Sequence, residues 1–164
     1  MARGGDGMEK YRISSKTLAV LPISKNRTKV YENDDIIIVD QNVQKIIEEN
    51  CSYYGSSYNL RKEYTEKLIG VTHKSPIIIE DASNIIFFPT SSPRLRECGW
   101  ISLNNLESNK QVGDFSQITF FNNLKVNLNV SNRIISNQIL RSTRLESIAR
   151  KRQLELTKNL SKSL

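Results

Sequence analysis

Every proline in this chain lies at or before Pro93 and every glycine at or before Gly113, and that confinement limits the fold more than any other feature. Proline removes a backbone donor and glycine makes a regular element entropically costly, so the chain beyond Gly113 is free to build long elements. From Ser131, whose hydroxyl suits an N-cap, the pattern predicts a helix running toward the C-terminus, with residues 159–164 expected to fray. At about 100° per residue, Arg133, Arg144, Lys151, Lys158 and Lys162 fall within about 20° of one line, with Ile135, Ile139, Ala149, Leu156 and Leu160 roughly opposite. The expected helix is therefore basic on one side and apolar on the other. Its basic side suits an anionic partner, and its apolar side suits its own domain or a second subunit. It lacks the aromatic residues that favour a membrane surface.

Before that helix the apolar runs are short. Residues 17–21 and 35–39 read as strands, the second β-branched and bounded by Asn33, Asp34 and Asp40. Val43, Ile46 and Ile47 are spaced for one or two helical turns over 43–49. Residues 56–68 suit a second helix, capped by Ser56 or Ser57, with Leu60, Tyr64 and Leu68 on one face. Strand character returns at 68–72, 76–79, 85–88 and 100–106. The clearest hairpin joins 118–121 to 124–130 across Asn122-Asn123, because asparagine tolerates the positive φ of a tight turn. There Leu124, Val126, Leu128 and Val130 alternate with polar residues, giving one buried face and one wet face. An α+β fold follows, mainly antiparallel strands with short helices and a basic amphipathic C-terminal helix. No internal repeat or long linker divides it, so a single domain is expected over 11–158, with a disordered peptide at 1–10.

The charge is uneven. The net is +7 at pH 7, with seven Lys or Arg against three acids up to Glu32, one against five over 33–50, and eight against two from Arg133 onward. Such a balance favours a polyanionic partner. Cys51, Cys98 and a single His73 fall short of the four ligands of a structural zinc site, so neither metal nor cofactor is expected. No apolar run approaches the roughly 20 residues that span a bilayer, and MARGGDGMEK lacks the apolar stretch of a signal peptide. A cytoplasmic protein with free thiols and no membrane partner is the expectation.

Residues 51–102 crowd aromatic, glycine, proline and basic residues together. Tyr53, Tyr54 and Tyr58 bracket Gly55-Ser56-Ser57 before Arg61-Lys62, and Phe87-Phe88-Pro89-Thr90 leads into Ser91-Ser92-Pro93-Arg94 and Arg96. Cations beside hydroxyls in turns are suited to phosphate contacts. Arg61, Lys62, Lys74, Arg94 and Arg96 are the candidate phosphate-facing cations, with Asn59, Ser91 and Ser92 as secondary donors. Arg133, Arg144, Lys151 and Lys158 are candidates for phosphate or dimer contacts. The rings of Tyr53, Tyr54, Phe87, Phe88 and Trp100 are read chiefly as core, with wedging between base steps the alternative. Cys51 and Cys98 are read as packed small hydrophobes. Ser56 or Ser75 with His73 and Asp81 supplies the residue types of a hydrolase triad, but no Gly-x-Ser-x-Gly elbow accompanies them, and no phosphate-cradling glycine motif is present. No catalytic residue is assigned.

The ordered series Cys51-x-x-x-Gly55-Ser56-Ser57-Tyr58-x-x-Arg61-Lys62, His73-Lys74-x-Pro76-Ile77, Phe88-Pro89-Thr90 and Cys98-Gly99-Trp100-Ile101-Ser102 resembles the bacterial competence transcription factor family, ComK. The likeness extends more weakly from Leu18-Ala19-Val20-Leu21-Pro22 to about Val130. It implies a transcriptional activator of DNA-uptake genes that binds paired AT-rich boxes as associated dimers, approaches through the minor groove and aids RNA polymerase. The family's longer C-terminal region, with a segment read by an adaptor of an ATP-dependent protease, has no counterpart here, so that control is not carried over. Composition alone also admits a basic protein-interaction module or an RNA-binding protein.

Overall fold

The computed structural model describes residues 7–163. Six strands form one antiparallel sheet: β1 (Thr17–Ser24), β2 (Arg27–Glu32), β3 (Ile36–Val39), β4 (Ile77–Glu80), β5 (Ile85–Pro89) and β6 (Trp100–Ser102), ordered β3-β2-β1-β6-β5-β4 in space. A second antiparallel sheet holds β7 (Leu106–Val112), β8 (Phe115–Phe120) and β9 (Lys125–Leu128). Helices α1 (Val43–Tyr53) and α2 (Tyr58–Ile69) connect β3 to β4, and α3 (Asn132–Ser163) follows β9. The α+β class read from the sequence is the one observed.

The large sheet is covered on both faces, which accounts for strands without a polar position. Val20, Ile77, Ile79, Phe87 and Trp100 pack with Ile46, Ile47 and Cys51 of α1. Their chain neighbours Ala19, Phe88 and Ile101 turn the other way, onto Ile118, Phe120, Val126 and Leu128 of the small sheet and Ile135 of α3. Ile78 and Ile86 meet Leu68 of α2 and Leu145 and Ala149 of α3. The alternation is the period of two of a strand buried on both sides. Leu18 and Ala19 break it by sharing a face, and a register shift between Thr17 and Ala19 supplies the extra residue that turns one of them.

Several boundaries differ from the sequence expectation for physical reasons. Helix α1 runs past the expected one or two turns because Asn50 completes its inner face. Fully buried, Asn50 donates through Nδ2 to Tyr11 O (2.9 Å) and Ile46 O (2.8 Å) and accepts Ile13 N–H through Oδ1 (2.8 Å). Helix α2 is capped by Ser57 as expected, but its inward face carries Arg61, Thr65 and Leu68, while Leu60 is 56% exposed. The strand expected at 68–72 does not form. Leu68 and Ile69 close α2, and Gly70, at φ 71°, ends it in the left-handed region that glycine adopts freely.

The expected hairpin forms, with Ile118 opposite Val126 and Thr119 opposite Lys125. Phe120 N–H donates to Leu124 O, and Asn123 takes the positive φ, at 71°. Strands β2 and β7 were not expected. At the N-terminus, Met8 bridges Val39 and donates its N–H to Ile38 O (2.9 Å). Residues 1–6 of the peptide expected to be disordered lie outside the described residues. Helix α3 continues through 159–163, the stretch expected to fray, and Leu164 is outside the described residues.

Candidate nucleic-acid interface

Three segments meet beside the C-terminal end of β5. The first is the loop after α2, where Gly70 turns the chain and Lys74 is held at φ 49°. The second is the 90–99 loop joining β5 to β6. Thr90 N–H donates to Gly99 O (2.9 Å) and Gly99 N–H to Thr90 Oγ1 (3.0 Å), so the loop is pinched shut at its base. Leu95 N–H to Ser92 O (2.9 Å) and Cys98 N–H to Leu95 O (3.1 Å) fold its interior into turns. Gly99 sits close to β1, where a Cβ would lie 2.5 Å from Leu21 Cδ2 and would push that side chain aside. The third segment is the N-terminal half of α3.

Gln138 of α3 ties the other two together. It is 2% exposed, and its Nε2 donates to Lys74 O and to Pro89 O, each at 2.8 Å. Arg141 reaches His73 O through Nη1 (3.3 Å) and Gln138 Oε1 (3.4 Å). One side-chain amide thus sets the separation of the two loops. The sequence reading missed Gln138 and Arg141. The available signal was a glutamine on the line Ile135, Gln138, Ser142, Leu145, Ala149 that the helix buries.

Between the loops lies a groove of about 850 Å³ whose lining includes Lys62, His73, Lys74, Ser91, Ser92 and Arg94. Among the described residues lining it there is no carboxylate. Lys62 comes from α2, with Nζ 5.0 Å from the Tyr58 ring centroid, a cation over an aromatic face. Tyr58 stands edge-on to Trp100, ring centroids 6.1 Å apart, and burial pushes its phenol up to about 12, so it stays a neutral donor. Ser91 Oγ is buried without a partner.

Five expected site residues therefore converge: Lys62, Lys74, Ser91, Ser92 and Arg94. Asn59 lies beside them in a smaller cleft of about 250 Å³ that shares Lys62 but also holds Glu63 and Glu66. Arg96 lines clefts on the other side of the 90–99 loop. Arg61 needs correcting. Its side chain is 8% exposed and its guanidinium grips Asp81, Nη1 to Oδ1 at 2.6 Å and Nη2 to Oδ2 at 3.2 Å, so it faces the protein interior. Asp81 is engaged there and not with His73. Arg133, exposed, is next to Ile134 at the groove's edge, whereas Arg144, Lys151 and Lys158 lie exposed farther along α3.

The rings divide as well. Phe87, Phe88 and Trp100 are fully buried, Tyr54 donates its hydroxyl to Ile13 O (2.6 Å), and Tyr53 is 61% exposed with the Arg12 guanidinium 3.3 Å from its ring centroid. Cys51 and Cys98 are buried and unpaired, and burial pushes the Cys51 thiol up to about 12 and raises that of Cys98. Among the described residues no group of three or more His, Cys, Asp or Glu could hold a metal ion, and no helix is long and apolar enough to cross a membrane.

A sequence model of the family described as ComK protein matches residues 8–154. The competence transcription factor of Bacillus subtilis (strain 168) is 32% identical over 144 residues, which cover 85% of this chain and 75% of that protein. No solved structure matches. With the match running from the first bridge of β3 through most of α3, the chain belongs to the ComK family.

Proposed function

We propose that this chain is a competence transcription factor that activates DNA-uptake genes by binding AT-rich paired boxes through the minor groove. The observation that carries the reading is the groove itself, where Lys62, Lys74 and Arg94 gather with serine hydroxyls and, among the described residues, no carboxylate. Phosphates in B-DNA are recognised by such cations and hydroxyls, and the narrow minor groove of A-tracts deepens the negative potential that draws Lys and Arg inward. Affinity then comes from counterion release and selectivity from the width and edge pattern of A·T steps. Self-association places two modules on neighbouring boxes, so that the second binds at high effective concentration, and the bound assembly aids RNA polymerase. Protein of this kind acts in the cytoplasm and catalyses no reaction.

The groove assignment is tested with three duplexes of one length: AT-rich, the same boxes in G·C, and the same boxes in I·C. Guanine's N2 amino group is what distinguishes G·C in the minor groove, and inosine lacks it. Minor-groove reading predicts that I·C boxes bind within a few-fold of A·T while G·C boxes bind at least about tenfold more weakly. Equal loss for I·C and G·C would move the reading to the major groove. Equal affinity for all three, flat with salt, would favour a protein-interaction module.

A further inference from the structure

Behind the 90–99 loop, opposite the groove, is a second cleft of about 440 Å³ between that loop and the first turn of α1. Its cations are Lys25, from the turn between β1 and β2, with Arg94 and Arg96, and among the described residues lining it there is no carboxylate. Glu97, next in the chain, lines a different cleft. Helix α1 presents its N-terminal end here. Asn42 Oδ1 accepts the N–H of Lys45 (2.7 Å), which leaves the N–H groups of Val43 and Gln44, the first two helical residues, without an intrahelical acceptor. These donors and the positive end of the helix dipole favour an anion.

An independent observation comes from the side chain of Trp100. It lines the same cleft, is fully buried, and its indole N–H has no acceptor in the protein. Buried donors are nearly always paired in folded proteins, so an unpaired indole N–H on a residue that lines a cleft of cations points to a ligand made of acceptors. The donors are therefore of three kinds: helix N–H, indole N–H and charged side chains.

We propose that this cleft seats one tetrahedral phosphate, and that in the DNA complex the seat takes a backbone phosphate flanking the box read in the groove. The second half rests on the DNA-binding reading above. Arg94 lines both clefts, so the two sites adjoin across a single loop, and a strand leaving the groove reaches the seat without a long detour. A fixed phosphate contact of this kind sets register and orientation and carries no sequence information. It also separates the roles of two arginines two residues apart, with Arg94 serving both clefts and Arg96 the seat.

The test is a duplex with one AT-rich box in which a single uncharged methylphosphonate is moved stepwise along each strand, bound to the full chain and to Arg96→Ala. For the unsubstituted protein, neutralising one linkage at the flank of the box is expected to weaken binding about tenfold, the scale of a lost charge-assisted contact. In Arg96→Ala, folded to the same thermal midpoint, the same neutralisation is expected to cost less than about twofold, because the two losses share one contact. An equal loss in both proteins, or no sensitive flanking linkage, overturns the seat. If the duplex is not bound at all, the DNA reading fails by itself and inorganic phosphate decides. A higher thermal midpoint in phosphate than in chloride at equal ionic strength, absent in Arg96→Ala, keeps the seat with free phosphate as its source. No such shift in the unsubstituted protein overturns it.

Discussion

Arg61 and Lys62 are chain neighbours with opposite surroundings. Successive helical residues point about 100° apart, so when Leu68 and Thr65 face inward Arg61 does too, and Lys62 is turned to the groove. The guanidinium survives burial because its planar fork matches the Asp81 carboxylate, which is itself 62% exposed. Arg61→Ala is expected to lower stability by about 1–3 kcal/mol, through lost packing and two lost charged hydrogen bonds, and Arg61→Lys to recover little of it. Lys62→Ala, at a half-buried position where only a contact with the Tyr58 ring is lost, is expected to cost no more than about 1 kcal/mol while weakening DNA binding. Urea unfolding of the three variants decides this. A stable Arg61→Ala that binds DNA weakly would return Arg61 to the interface.

At the level of elements, α3 organises the candidate interface through its first half. Gln138 satisfies two carbonyls, Lys74 O in the loop after α2 and Pro89 O at the end of β5, where the 90–99 loop begins. Gln138→Leu keeps the size and burial but orphans both, and each unpaired buried acceptor costs about 1–3 kcal/mol. The expected outcome is a less stable protein in which AT-rich binding falls, although no DNA-facing group has been changed. Gln138→Asn, too short to span both loops, is expected to lie between. Unaltered binding at temperatures where Gln138→Leu is fully folded would show that the loops hold their spacing without it. The same elements show what a linear reading can capture. The 118–130 hairpin, the cap at Ser57 and the strands expected at 17–21, 35–39, 76–79 and 85–88 follow from local periodicity and turn chemistry, and the structure has each of them to within a few residues at the ends. Strand β7, LESNKQV, was hidden because it is an edge strand with no buried residue, and β2 because Thr28 and Val30 are its only fully buried positions. The inward face of α2 was misjudged for a related reason. Leu60 is the more apolar residue, but Asp81 and the carbonyl of Pro76, which accepts from Thr65 Oγ1 at 2.6 Å, are neighbours only in three dimensions.

For the whole molecule, charge is sorted by place. Lys62 from α2, Lys74 from the following loop and Arg94 from the β5–β6 loop are separated in sequence and converge only because the sheet and α3 bring their segments together. Residue type marked them as candidates, but tertiary contacts decide which of the candidates share a face. Along α3 the side chains of residues 151–162 are all exposed, and at about 1.5 Å per residue Lys158 lies roughly 36 Å from Ile134 at the groove. That is about one turn of B-DNA, so a surface that holds DNA at the groove would meet Lys158 only a full helical turn away.

The groove as the DNA-binding surface is tested most directly by the salt dependence of AT-rich duplex binding for the parent and for the combined Lys62→Ala, Lys74→Ala, Arg94→Ala variant. Each neutralised phosphate contributes about −0.9 to the slope of log affinity against log salt, so losing three contacts is expected to flatten the slope by about 2.7 while thermal unfolding stays close to that of the parent. A variant with the parent's slope and affinity would contradict the account and place the DNA on another face of the protein.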